Sequence, residues 1–254
     1  MKKFFLLFAI SAAVFSCKKD DDKKDGTYKG ASVQVHDGKA WTWAKINKNG
    51  VPEQLAITIE DKVLNSVPTD VEGGDGHNAH ENSLVLPVHP KVLEATPFKH
   101  IGLDWNPIGH EPDGVYTIAH FDMHFYMISE AERMAATDMG KILAEPSPDY
   151  IPVQHMAGAP VPTMGLHWLD VTSPELSGAP FTQTFIYGSY NSKVIFYEPM
   201  ITLDFLKTTT NFERPIPQPV KFQQAGYYPT KMRVVKHNGV VDVILEGFVQ
   251  RQAS

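Results

Sequence analysis

Short runs in which apolar and polar residues alternate, separated by turn residues, dominate this chain. A period of two is the pattern of strands with one buried face. Residues 55–60 (LAITIE) are one such run. Residues 32–36 and 40–46 are two more, joined by Asp37-Gly38, and Lys48-Asn49-Gly50 makes the next turn. Trp41 and Trp43 share one face of their strand, where core or sheet-surface packing is the ordinary role. Residues 83–86 form a short strand that Pro87 stops. Residues 182–190 and 193–197 predict a hairpin around Asn191-Ser192, closed by Glu198-Pro199-Met200. Residues 232–236 and 240–249 predict another around Asn238-Gly239, the clearest hairpin signal present. One helix is predicted, because Ser129 and Glu132 have capping-box spacing ahead of residues 130–136. Residues 138–162 and 211–229 are proline-rich connections. The expectation is an all-β fold: an antiparallel sandwich or barrel with one short helix and long Pro-rich loops, residues 31–254 making a single β-rich domain.

The segment from His110 to Tyr126, HEPDGVYTIAHFDMHFY, departs from this ordinary pattern. Gly109-His110-Glu111-Pro112 reads as a rigid turn, with Glu111 exposed. Read as a strand, the rest puts Val115, Thr117, Ala119, Phe121, Met123 and Phe125 on one face. Tyr116, Ile118, His120, Asp122, His124 and Tyr126 fall on the other. Imidazole and carboxylate groups side by side on a part-apolar face point to a site.

A divalent transition ion takes three or four imidazole or carboxylate ligands at about 2.0–2.2 Å. Strand residues two apart lie about 6.6 Å apart and can share an ion, whereas residues four apart lie about 13 Å apart. His120 and His124 therefore do not meet at one ion on a straight strand. Either Asp122 pairs with one of them, a bulge shortens the distance, or Asp122 orients one histidine from behind. Further ligands must come from other segments. His110 is tied to the strand by a short turn, His167 precedes a tryptophan, and Glu198 ends a strand. The candidate set for zinc or a similar divalent ion is thus His110, His120, Asp122, His124, His167 and Glu198. In a catalytic version, metal-activated water would be the nucleophile and Asp122 or Glu198 the base. The alternative is a non-enzymatic envelope protein in which these residues form a buried polar network that cross-links strands or subunits. His77-Asn78-Ala79-His80-Glu81 follows glycines, matches no metalloprotease motif and reads as an exposed loop. His89 and His100 read as surface residues.

Composition narrows the setting. With 254 residues, 43% of them hydrophobic, the chain can bury one sizeable core. A formal charge of −6 argues against nucleic acid as a partner. Residues 1–17 combine Lys2 and Lys3, an apolar stretch too short to span a bilayer, and a terminal Cys17, as a targeting segment does. Cys17 is the only cysteine, which excludes an intrachain disulfide and a thiolate metal site. Its position resembles the lipobox cysteine of bacterial lipoproteins. That resemblance implies a signal peptide over residues 1–16, a membrane anchor on acylated Cys17, and an outer-membrane, cell-envelope location, periplasmic or surface-exposed. Cleavage would remove two lysines and no acid, taking the charge from −6 to −8. Residues 17–30, with the charge block over 18–25, read as a disordered tether. The same block resembles the surface-export signals of lipoproteins in some Gram-negative phyla.

Nucleophilic and phosphate-binding motifs are missing: there is no G-x-S-x-G and no Gly-rich loop after a strand. The spacing of Gly114 and His120 resembles the first cupin motif. That family and carbonic anhydrases place His-x-His on a strand, where this chain has His-x-Asp-x-His. A cupin-like metal enzyme remains a third alternative. Taken together, Trp105-Asn106-Pro107, Gly109-His110-Glu111-Pro112, His120-Phe121-Asp122, His124-Phe125-Tyr126, His167-Trp168 and Glu198-Pro199-Met200 resemble an uncharacterised family of secreted bacterial domains of unknown function. One member of that family, from a thermophile, is under extracytoplasmic sigma-factor control and forms a ring-like homo-oligomer. The resemblance implies a β-rich domain and self-association, and no particular activity.

Overall fold

The computed structural model describes residues 26–69 and 83–254. Cys17, the signal segment and residues 77–81 lie outside the described residues. In chain order the strands are β1 (Gly26–Lys29), β2 (Val33–Val35), β3 (Gly38–Ile46), β4 (Pro52–Glu60), β5 (Ser83–Leu86), β6 (His100–Asn106), β7 (His120–Tyr126), β8 (His155–Val161) and β9 (Gly165–Asp170). They continue with β10 (Gln183–Tyr190), β11 (Lys193–Thr202), β12 (Asn211–Pro215), β13 (Gly226–Tyr228), β14 (Lys231–His237), β15 (Val240–Glu246) and β16 (Val249–Arg251). Two seven-stranded antiparallel sheets result. One runs β1-β3-β4-β15-β14-β12 with β2 on β3, and the other runs β5-β6-β7-β11-β10-β9-β8. Neither closes into a barrel, so the fold is a sandwich.

Alternation along each strand explains the layers. Leu55, Ile57 and Ile59 of β4 and Val241, Val243 and Leu245 of β15 point inward from the first sheet. Ile101, Leu103 and Trp105 of β6 and Phe121, Met123 and Phe125 of β7 point inward from the second. All join one core cluster, and each buried phenylalanine contributes about 1.5–3 kcal/mol of transfer free energy. The β14–β15 hairpin turns on Asn238 and Gly239, both at positive φ, as a turn matching strand twist requires.

Several expectations need correction. Helix makes up 16% of the structure against 47% strand, in five short α-helices rather than one. These are α1 (Asp61–Ser66), α2 (Pro90–Ala95), α3 (Glu130–Met134), α4 (Met139–Ile142) and α5 (Leu203–Thr208). Six residues are too few for a 3.6-residue period to register. The capping box at α3 is present as expected. Residues 26–29, read as the end of a tether, are instead strand β1 paired with β3. The Glu198-Pro199-Met200 run lies inside β11 and does not end it. The strand expected to follow Pro112 starts only at His120. Its partner β6 ends at Asn106, opposite His120, so residues 107–119 have no ladder to join and form a loop.

Candidate metal centre

The inward phenylalanines of β7 force its alternate residues, His120, Asp122, His124 and Tyr126, onto the far face of the second sheet, away from the sandwich core. Register sets their neighbours. Asn106 lies opposite His120 and Asp104 opposite Asp122 on β6, while Met200 lies opposite Asp122 on β11. Two pleat positions before Met200, Glu198 faces the same way. His167 on β9 lies opposite Gly188 on β10. A Cβ at Gly188 would meet the Phe196 ring at 1.9 Å, so only glycine lets that ring cross the strand. The ring then packs edge-on against both His124 and His167, at 5.0 and 5.4 Å between centroids.

The loop 107–119 covers this face. Gly109 holds φ +72°, and a Cβ there would meet Tyr116 O at 2.0 Å. His110 N donates to the same Tyr116 carbonyl. This closure brings the His110 ring down onto Asp122, with Nε2 3.2 Å from Oδ2. The rigid turn read at residues 109–112 therefore aims His110 at the strand, and Glu111 is exposed as expected.

The six candidate ligands sort into two groups of three, His110/His120/Asp122 and His124/His167/Glu198. Within each group the ligand atoms lie within 4.8 Å of one another. His120 Nε2 is 3.1 Å from Asp122 Oδ1, and His124 Nε2 and His167 Nε2 are 3.4 and 3.6 Å from Glu198 Oε2. His120 and His124 thus go to different groups, as the strand spacing requires. Apart from His110, all are buried, and each group has the two-histidine, one-carboxylate composition common to catalytic zinc and non-haem iron sites.

In three of the four rings the other nitrogen is hydrogen-bonded to a backbone carbonyl. His110 Nδ1 donates to Glu111 O at 2.7 Å, His120 Nδ1 to Ile118 O at 2.6 Å and His167 Nδ1 to Ala159 O at 3.0 Å. A carbonyl only accepts, so Nδ1 carries the hydrogen, and in the neutral ring the Nε2 lone pair faces the acid. His124 Nδ1 lies 2.9 Å from Asp104 Oδ2. Buried His120 Nε2, Asp122 Oδ1, His124 Nε2 and Glu198 Oε2 make no hydrogen bond. Buried polar atoms normally find a partner. Their convergence in two places makes two groups that could hold a cation.

Electrostatics agree with shared protons in the absence of an ion. Burial alone would lower His110, but the charge and hydrogen bond of Asp122 prevail and raise it to about 9. Burial would likewise raise Asp122, yet His120 and His110 hold it well below the usual carboxylate range. His124 is also raised to about 9, since Glu198 and Asp104 outweigh its burial. Burial, with Asp122 nearby, pushes Glu198 up to about 8 against the pull of His124. His124 and Glu198 are thus both shifted toward their protonated forms. Burial depresses His167 to about 3, so it stays a neutral ring.

No protein-family model, curated protein or solved structure matches this chain. A cavity of about 30 Å³, lined by His110, Tyr116, His167 and Met200 among others, adjoins both groups and can take a water molecule.

Further residues complete the surroundings of the two groups. Asn106 Nδ2 donates to Asp122 Oδ2 at 2.7 Å, and Asp104 backs His124. Their signal lay in Leu103-Asp104-Trp105-Asn106, where acid and amide alternate with inward apolar residues. His100, read as a surface residue, is buried instead. It stacks on Tyr126 at 4.6 Å and bonds Ile128 O through Nδ1.

Proposed function

We propose that the protein binds two divalent transition-metal ions, zinc foremost, one at His110/His120/Asp122 and one at His124/His167/Glu198. The observation that carries this reading is the turning of each imidazole. All four Nδ1 atoms lie against oxygens, leaving all four Nε2 atoms directed at Asp122 or Glu198. Metal-binding histidines are held by such contacts, which set the tautomer and the ring orientation. Asp104 behind His124 makes the carboxylate–histidine pair that commonly backs a metal ligand. Three protein ligands per ion leave a position for water, and a bound ion of this kind lowers the pKa of that water. Asp122 and Glu198 are then ligands rather than bases. Asn106 fixes the Asp122 carboxylate, and the loop 107–119 keeps the site from bulk water. The targeting segment supports an extracytoplasmic setting with acylated Cys17 as the anchor.

Metal analysis after dialysis against zinc should find two ions per chain. A well-folded protein that stays metal-free overturns the reading. That outcome favours the second reading, a buried polar network in an envelope protein, for which the ion pairs of Asp122 with His110 and His120 speak. Intact mass of the membrane-extracted protein tests the anchor, since Cys17→Ser must abolish acylation. Sedimentation of the soluble domain tests self-association.

A further inference from the structure

The outer face of the first sheet carries a feature unrelated to the metal centre. Trp41 and Trp43 project from β3 on the solvent side, two residues apart, each half-buried. Ala56 lies opposite Trp43 on β4, and Trp43 Nε1 reaches diagonally to Thr58 Oγ1 at 2.9 Å. Ala56 is fully buried although it shares this outward face. The Thr58 hydroxyl donates to Asp242 Oδ1 on β15, and the other Asp242 oxygen lies 2.8 Å from His237 Nε2 on β14. A polar rail thus crosses four strands beside two indoles. Lys29 Nζ sits 3.7 Å above the Trp41 ring and covers one face of that indole. The depression these residues line is shallow, about 440 Å³, and includes Gln54 and Lys45.

We propose that this face binds a neutral polysaccharide chain. The occupant follows from the chemistry. Nucleic acid needs a cationic surface, but Asp242 and the Lys45–Glu53 ion pair leave this patch nearly neutral. A protein partner would want a broader apolar centre than two indoles flanked by hydrogen-bonding groups. A sugar ring has an apolar C–H face to lie on an indole and a rim of hydroxyls for Gln54 and half-exposed His237. The strand framework holds these groups in place, so little ordering cost opposes binding. Lys29 covers Trp41 through a weak cation–π contact and must move aside.

The test is affinity electrophoresis of the soluble domain in gels containing cellulose ether, xylan, galactomannan, soluble starch or dextran. At least one of these should retard the wild type. Trp41→Ala should weaken that retardation at least tenfold, whereas Lys29→Ala should keep or strengthen it. Among the described residues the Trp41 side chain makes no hydrogen bond, and melting curves identify any variant that fails to fold. If Trp41→Ala misfolds, Trp41→Gln takes its place. Absence of retardation in all five gels, or equal retardation of the folded Trp41 variant, overturns the proposal. Either result leaves the metal reading untouched.

Discussion

Replacing His124 by alanine is the most searching test of the metal centre. The change removes one of three ligands from His124/His167/Glu198 and none from the other group. At zinc concentrations 100-fold above Kd, each occupied site stabilises the native state by about 2.7 kcal/mol. Two sites then give about 5 kcal/mol, and in a domain of this size each kcal/mol moves the melting midpoint by about 2–4 °C. Zinc should therefore raise the midpoint of the wild type by about 10–20 °C over its EDTA-treated form, and that of His124→Ala by about half as much. The variant also leaves Asp104 and Glu198 facing each other without the imidazole between them. Removing one partner of a buried ion pair costs roughly 3–5 kcal/mol. The comparison must for that reason be the zinc increment within each protein, measured by calorimetry beside the bound-metal count. A variant that keeps two ions, or shows the full wild-type increment, would refute the assignment of ligands.

Other consequences are independent. Gly109→Ala places a Cβ 2.0 Å from Tyr116 O at a positive φ, a strain of about 1–3 kcal/mol, and should cost the His110 site its ion while the His124 site stays filled. Asp104→Asn keeps every ligand but loosens His124, so zinc affinity at that site should fall about 10–100-fold in competition with a chromogenic chelator. His155 is pushed down to about 4, by burial first and with Arg214 adding to it against Asp170. Its folded pKa lies below the unfolded value, so protonation favours the unfolded chain. Stability is full above about pH 6.5 and declines toward pH 4, by about 3 kcal/mol from this group, and urea titrations of His155→Gln should lack that part of the slope. Phe125→Ala empties a fully buried position between the sheets and should cost about 3–5 kcal/mol in urea without changing the number of bound ions.

Alternation of side chains along the chain determined the class of fold, because strand periodicity is a local property. It placed Phe121, Met123 and Phe125 on one face and His120, Asp122 and His124 on the other, and strand geometry alone separated His120 from His124. The hairpin at Asn238-Gly239 was legible for the same reason, since the turn needs particular residues at positive φ. Of the five short helices only α3 was legible, through its capping box, because the others are shorter than two turns and leave no period to read. Only tertiary structure decided which acid each histidine meets. Strand order brings β11 beside β7, so Glu198 reaches His124, and Gly188 lets Phe196 cross toward His167. The closing of loop 107–119 turns His110 onto Asp122. These partners are separated by up to 74 positions in sequence, from His124 to Glu198, and no local pattern encodes a register between strands that far apart.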